Sequence, residues 1–248
     1  MTELVKLDIE QGVATVTLNR PDELNALSKE LSLAIIEAIT AAETNVEVRA
    51  IVLTGAGKAF CAGVDLKELS KGGDLLRDDQ AFLKMFHEGK KPLIGAINGF
   101  AITGGLELAL NCDFLFAADT AKFADTHAKV GLMPAWGMSQ KLPRLIGVNR
   151  ALEMSLSGRF IDAQTACSWG LVNHVYPADR LLAETQLIAR EIAQNEPQGC
   201  MAIRRVIRQG WQTTLEQGMQ VEQHQAREHN DAMDMSVMLE RLNSVRKR

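Results

Sequence analysis

Leu93-Ile94-Gly95-Ala96-Ile97-Asn98-Gly99-Phe100-Ala101-Ile102-Thr103-Gly104-Gly105-Leu106-Glu107-Leu108-Ala109-Leu110-Asn111-Cys112-Asp113 decides how the chain is read. Its first five residues form an apolar run of strand length, and from Gly104 onward good helix formers follow. Main-chain N–H groups therefore gather where strand gives way to helix, because the first turn of a helix leaves donors without internal acceptors. Two glycines there let the chain turn tightly and let a ligand approach the backbone with no Cβ in the way. Such donors hold an anion or a developing negative charge. Glu107 stands in the first turn, among Leu106, Leu108, Ala109 and Leu110. The helix start favours its anion by about 0.3–1 kcal/mol, whereas burial raises a carboxyl by up to roughly 3–5 pKa units. Burial wins, and the group is poised for proton transfer near neutrality. The ordinary alternative is a surface Glu on an amphipathic helix; the apolar neighbours and the glycine pair weigh against it.

Outward from this stretch, strands and helices alternate. Val5, Leu7 and Ile9, then Ala14, Val16 and Leu18, alternate with polar residues around Gln11-Gly12, the pattern of a hairpin. Ser28 is placed to cap a helix whose apolar stripe is Leu31, Ile35, Ala38, Ile39 and Ala42, ending near Asn45. Buried strands are predicted at 50–54, 113–118 and 171–176, and helices at 80–88, 138–145, 150–157 and 162–169. The charged segment Lys67 to Asp79 reads as a loop or frayed helix. From Arg180 the pattern predicts three helices, broken at Glu196-Pro197-Gln198-Gly199 and at Gly210. Met219, Met233, Met235, Met238 and Leu239 mark a face there that packs on something. The expected class is α/β, with residues 1–195 as the core and 196–248 as a C-terminal helical region.

Composition removes several functions. A chain of 248 residues with 46% apolar and 23% charged residues is long enough to bury a full core. The net charge of −4 and the lack of a basic block before Arg246-Lys247-Arg248 argue against nucleic acid. No apolar run has the length of a membrane span, and no leader pattern opens the sequence, so a cytoplasmic protein with no membrane partner is expected. Cys61, Cys112, Cys167 and Cys200 lack Cys-x-x-Cys spacing and read as reduced core thiols. No metal site is expected, since only His224 and His229 come near ligand spacing, on a polar helix that leaves them solvated. Gly55, Gly57 and Lys58 suggest a nucleotide loop and fail on spacing: Phe60 stands where a dinucleotide fingerprint needs its third glycine, and Ala59 follows the lysine where a P-loop needs Ser or Thr.

Four motifs stand in order: Arg20-Pro21 with Leu24-Asn25-Ala26-Leu27; Phe60-Cys61-Ala62-Gly63-Val64-Asp65-Leu66-Lys67-Glu68; Asn98 to Asp113; and Gly131-Leu132-Met133-Pro134 with Gln140-Lys141-Leu142-Pro143-Arg144. Together they closely resemble the enoyl-CoA hydratase/isomerase (crotonase) superfamily, over nearly the whole chain. The resemblance implies a spiral of β-β-α turns with a C-terminal helical region that builds homotrimers, often paired as dimers of trimers. It implies an acyl-CoA thioester as partner and no separate cofactor, coenzyme A being part of the substrate. By motif, the two N–H groups that hold the thioester oxygen fall on Val64 and Gly104. Leu24 and Ala26 match positions touching the adenine side of CoA. Ala62, Asp65 and Leu66 match the segment lining the pantetheine and acyl path, and Gly105 and Pro134 match further ligand contacts.

Glu107 matches one of the two catalytic carboxylates of the hydratases. Family chemistry passes through an enolate-like thioester, and each donor to its oxygen is worth roughly 2.7–4 kcal/mol in the transition state. Glu107 would activate water for attack at Cβ, while a second group delivers the proton to Cα. Where that second carboxylate should stand, the sequence has His127, a residue type able to give or take a proton. Asp125, two residues earlier, is the other candidate, and a merely polar wall position is the alternative for His127. Three functions follow from the resemblance: hydration of a trans-2-enoyl-CoA, double-bond isomerisation with one carboxylate as shuttle, and acyl-CoA binding without turnover.

Overall fold

A computed structural model describes residues 3–70 and 79–245. It divides into two compact units, Met1–Gln194 and Asn195–Arg248. In chain order the first unit contains β1 (Val5–Glu10), β2 (Val13–Leu18), α1 (Lys29–Thr44), β3 (Ala50–Gly55), β4 (Ala59–Cys61), α2 (Leu66–Leu69), α3 (Asp79–Glu88), β5 (Leu93–Ile97), β6 (Phe100–Ile102) and α4 (Gly104–Ala109). It continues with β7 (Phe114–Ala118), β8 (Lys122–Ala124), α5 (His127–Val130), α6 (Met138–Ile146), α7 (Val148–Ser157), β9 (Ile161–Asp162), α8 (Ala163–Ser168), β10 (His174–Tyr176) and α9 (Leu181–Ala193). The second unit is helical: α10 (Pro197–Trp211), α11 (Leu215–Asp231) and α12 (Met235–Val245).

Two sheets run through the first unit, ordered β1-β2-β3-β5-β7-β10 and β4-β6-β8-β9. The β1–β2 hairpin is antiparallel, while β2, β3, β5, β7 and β10 are parallel neighbours. Each turn of the chain sends a longer strand into the large sheet, a three-residue strand into the small one, and then a helix: β3-β4-α2, β5-β6-α4, β7-β8-α5. This is the β-β-α spiral. The central strands β3, β5 and β7 are apolar but for Thr54, whose hydroxyl donates to Ala96 O at 2.8 Å, since α9 packs on β2, β3, β5 and β7 and the spiral's interior covers the rest. Ser28 caps α1 by accepting from the Leu31 amide at 3.1 Å, and Leu31, Ile35, Ile39 and Ala42 are buried beneath it. Each large aliphatic side chain so buried contributes about 1.5–3 kcal/mol.

Several expectations need correction. The short strands β4, β6, β8 and β9 are absent from the sequence reading, because two or three residues show no period. The predicted strand at 171–176 is confined to His174–Tyr176. The C-terminal part holds four helices from Leu181 onward, not three. Pro197 opens α10 rather than breaking it, its missing N–H being no loss in a first turn, and Gly210 lies inside that helix. Only Cys61 is a core thiol; Cys112, Cys167 and Cys200 are half-buried, and none of the four forms a disulfide. His224 is exposed beside Glu228, whereas His229 is half-buried. Of the segment Lys67 to Asp79, residues 67–69 are helical, and residues 71–78 lie outside the described residues. Among the described residues, no helix is long and apolar enough to cross a membrane.

Candidate active site

The site forms where the small sheet ends. Beyond Cys61 the chain runs beside Leu27 as an isolated parallel bridge: the Leu27 N–H donates to Gly63 O at 2.7 Å, and the Asp65 N–H donates to Leu27 O at 3.0 Å. In that pattern the N–H and C=O of Val64 point to the opposite side. There β6 has already turned into α4, so no strand takes them up. Neither the Val64 N–H nor the Gly104 N–H donates to another described residue. A Cβ on Gly63 (φ 95°) would stand 2.9 Å from Ile102 O and 3.3 Å from Gly104 N, so glycine is what lets the two donor segments touch.

The turn into α4 is not made by the glycine pair. Thr103 makes it, at φ 52° and ψ −112°, a conformation costly for a side chain with a Cβ. Three hydrogen bonds hold it there. Its N–H donates to Ala124 O at 2.8 Å, its hydroxyl accepts from the Thr126 N–H at 3.0 Å, and the two threonine hydroxyls lie 2.6 Å apart. These bonds tie the start of α4 to the end of β8, which brings Glu107 and His127 together. Gly105 serves packing: a Cβ on it would fall 1.9 Å from Cys61 O, inside the β4 backbone.

Glu107 is 2% exposed. Its Oε1 accepts from the Trp136 N–H at 2.8 Å and the Met138 N–H at 3.3 Å, leaving Oε2 to face His127 Nε2 at 3.8 Å. Burial pushes its carboxyl above the usual range. The two amides and His127 pull it back only in part, and the Asp125 charge adds to the rise. Asn111 fixes the backbone around this group, donating to Glu107 O at 2.8 Å and Trp136 O at 3.2 Å while accepting from Lys141 Nζ at 2.7 Å. Asp125 sits behind the imidazole, its Oδ1 2.7 Å from His127 Nδ1 and accepting from the His127 N–H at 3.1 Å. Burial raises the Asp125 carboxyl, but hydrogen bonds from the His127 ring, Ser155 and the His127 amide outweigh it and hold it below its ordinary value.

These groups open on a cavity of about 80 Å³, room for several waters. Thr103, Glu107, Thr126 and His127 supply its polar wall; Ala62, Val64, Leu66, Val130, Leu132, Met133, Ala135 and Trp136 supply the rest. Few polar groups in an apolar wall suit a ligand whose orientation matters. The indole Nε1 of Trp136 is the one buried side-chain nitrogen or oxygen among the described residues with no partner. Cys61, close by, is no nucleophile, since burial pushes its thiol up to about 12. No group of three or more His, Cys, Asp or Glu able to hold a metal occurs among the described residues.

The structure thus brings Val64, Gly104, Glu107 and His127 to one place, with Asp125 outside the cavity wall. The segment 24–27 is laced to the segment 62–65, the Ala62 N–H donating to Leu24 O at 3.0 Å. Leu24 and Leu66 are exposed there, at 40% and 58%. The Asp65 carboxylate pairs with Arg20 at 2.7 Å and caps α2 by accepting from the Lys67 and Glu68 amides. Pro134 is half-buried and lies beside the cavity rather than in its wall. Sequence reasoning missed Thr103, Thr126, Asn111 and the amides of Trp136 and Met138. Only the non-glycine residue at the strand-to-helix turn carried a local signal.

Comparison with known proteins agrees with this geometry. The pattern of the family described as Enoyl-CoA hydratase/isomerase matches residues 8–245. The chain is 39% identical over 224 residues to "Probable enoyl-CoA hydratase 1, peroxisomal" of Arabidopsis thaliana, covering 90% of this chain and 84% of that protein. It is 37% identical to "2,3-dehydroadipyl-CoA hydratase" of Escherichia coli, covering 88% and 87%. A crystal structure of enoyl-CoA hydratase from Bacillus anthracis superposes with a TM-score of 0.91 at 35% identity, covering 98% of this chain and 96% of that one. On the sequence pattern, the relatives and the spiral alike, this chain belongs to the enoyl-CoA hydratase/isomerase family.

Proposed function

We propose that the protein is an enoyl-CoA hydratase that adds water across the double bond of a trans-2-enoyl-CoA to give the 3-hydroxyacyl-CoA. The reading is carried by one observation: a buried carboxylate, Glu107, with one oxygen anchored on two amides and the other free in a cavity beside two unclaimed N–H donors. The thioester carbonyl oxygen is placed against the Val64 and Gly104 N–H groups, which take the charge that develops as Cβ is attacked. Glu107 Oε2 removes the proton from the attacking water. A water about 2.8 Å from both Glu107 Oε2 and His127 Nε2, themselves 3.8 Å apart, subtends an angle of about 85°, close enough to tetrahedral to be held by both. Coenzyme A arrives with the substrate along Leu24, Ala26, Ala62 and Leu66, and no separate cofactor takes part. Purified protein incubated with trans-2-enoyl-CoA thioesters of increasing chain length should discharge the enoyl-thioester absorbance. No loss at any length would sink the proposal.

A second reading is double-bond isomerisation, favoured by Glu107 being the single carboxylate among the described residues of the cavity wall. Conversion of a 3-enoyl-CoA with no hydration of the 2-enoyl isomer would select it, and tight binding with no turnover would leave an acyl-CoA carrier.

The assembly proposed is a homotrimer or a dimer of trimers, with residues 196–248 as the assembling region and 1–195 as the site-bearing core. Two observations support it: Val148, Leu152 and Leu156 recur every fourth residue on α7 at 60%, 51% and 73% exposure, and α10 and α11 expose Ile203, Ile207, Trp211 and Met219. A monomeric mass by light scattering would exclude it. Four cysteines outside any disulfide fit a reducing compartment such as the cytoplasm.

A further inference from the structure

We propose that Asp125 is a positioning residue that makes His127 do the work of the second carboxylate, with His127 Nε2 carrying the proton that reaches Cα. The inference rests on the hydration reading above and adds to it the identity and control of the proton donor. Asp125 Oδ1 lies 2.7 Å from His127 Nδ1 and also accepts the His127 main-chain N–H at 3.1 Å, so one oxygen fixes both the ring and its backbone. A carboxylate is acceptor-only, hence Nδ1 carries a proton, and the nitrogen left to face Glu107 Oε2 at 3.8 Å is Nε2. Among the described residues, the charged groups that face the ring are Asp125, on the segment leaving β8, and Glu107, on α4. From α7, which packs on α5, Ser155 bonds Asp125, while Glu153 is paired outward with Arg159 at 2.7 Å. Lys129, the next basic group on α5, runs toward Gly158. An imidazolium at His127 therefore lies between two carboxylates.

The step balances with one water. The water's O–H bond breaks toward Glu107 Oε2 as its oxygen bonds Cβ, and the double-bond pair moves onto the thioester oxygen against the Val64 and Gly104 N–H groups. That pair returns as Cα takes the proton from His127 Nε2. Glu107 now holds a proton and His127 has lost one, and transfer from Oε2 to Nε2 restores the start. Asp125 touches no reacting atom. It holds the ring's orientation and tautomer and supports its charged form, as a buried Asp does for the histidine of a Ser-His-Asp triad.

The test compares wild type with Asp125→Asn, which keeps the shape and the Oδ1 acceptor but removes the charge. For hydration of a short trans-2-enoyl-CoA, kcat should fall by about 10²–10⁴-fold with KM within about threefold. A merely structural Asp125 would lower Tm and shift KM along with kcat, and a kcat within threefold of wild type would overturn the proposal. A second measurement needs no turnover: ¹⁵N NMR of the histidine rings of the intact protein, with the His127 signals identified by their loss in His127→Gln. The neutral ring should be protonated on Nδ1; protonation on Nε2 would overturn the proposal even if Asp125→Asn fails to fold. Wild type that shows the Nδ1 tautomer yet hydrates no enoyl-CoA would refute the hydratase reading instead, so the two failures are distinct.

Discussion

Replacing Glu107 by Gln should make the protein more stable and nearly inactive at once. The amide keeps a carbonyl oxygen for the Trp136 and Met138 N–H groups, 2.8 and 3.3 Å from Oε1, and places its NH₂ toward His127, 3.8 Å from Oε2. What it removes is a buried charge. Two charge-assisted hydrogen bonds become neutral ones, a loss of about 1 kcal/mol each, while the desolvation of an ionised carboxylate, several kcal/mol in a protein interior, is relieved. The carboxyl sits above its ordinary range because burial outweighs those amides, so the balance favours the amide. The sign with pH follows from linkage. A carboxyl with a raised folded pKa contributes stability that is complete below the unfolded value of about 4.3 and is lost as pH rises through the folded value. Wild type and Glu107→Gln should therefore melt together near pH 4, and the variant should gain as pH rises toward 8, by about 2–4 °C in Tm per kcal/mol of relief. Hydration should fall by about 10²–10⁴-fold, the usual contribution of a general acid or base. Thermal unfolding across this pH range, beside the absorbance assay, checks both halves. A variant less stable at pH 8, or a Tm difference flat with pH, would refute the reasoning.

Gly105→Ala should unfold the protein or cost about 3 kcal/mol or more in urea melts, because its Cβ falls 1.9 Å from Cys61 O. Gly104→Ala should fold, with its Cβ 3.3 Å from Trp136 Cζ3, and lose kcat by crowding the donor site; equal melting of the two variants would show the packing argument to be wrong. Asp65→Ala should lower stability by about 0.5–2 kcal/mol through the lost cap, and raise KM more than it lowers kcat by loosening the segment 24–27 that Arg20 holds through Asp65 and Ala26 O. Arg20 holds the Asp65 carboxyl below its ordinary value, against the opposing effect of burial, with help from the Glu68 and Lys67 amides. That stability is present above about pH 4 and is lost as pH falls through the folded value, so the difference in Tm should vanish in acid. Thr103→Gly should melt higher than Thr103→Ala, since both lose the hydroxyl bonds and only glycine relaxes the φ 52° turn; the reverse order would show that the turn stores no strain.

By itself the sequence determined what neighbouring residues decide. The Ser28 cap and the Leu31–Ile35–Ile39 stripe set α1, the unbroken apolar runs set β3, β5 and β7, and the leucines around Glu107 announced a carboxyl out of water. Cap chemistry, periodicity and burial of long runs are written in contiguous residues, so they can be read without coordinates. Tertiary structure alone decided the rest. The three-residue strands of the small sheet exist because partners pair with them, not because their composition demands it. The glycine pair promised a turn, yet Thr103 makes it, held by Thr126 and Ala124 across the spiral. The pairing of the Asp65 carboxylate with Arg20, 45 residues away, has no local signal. His127 read as the gap in a carboxylate pair, and only the fold set Asp125 behind its ring and Glu107 before it. An ionisable side chain's role depends on which charges and dipoles surround it, and those come from segments that meet only when the chain closes.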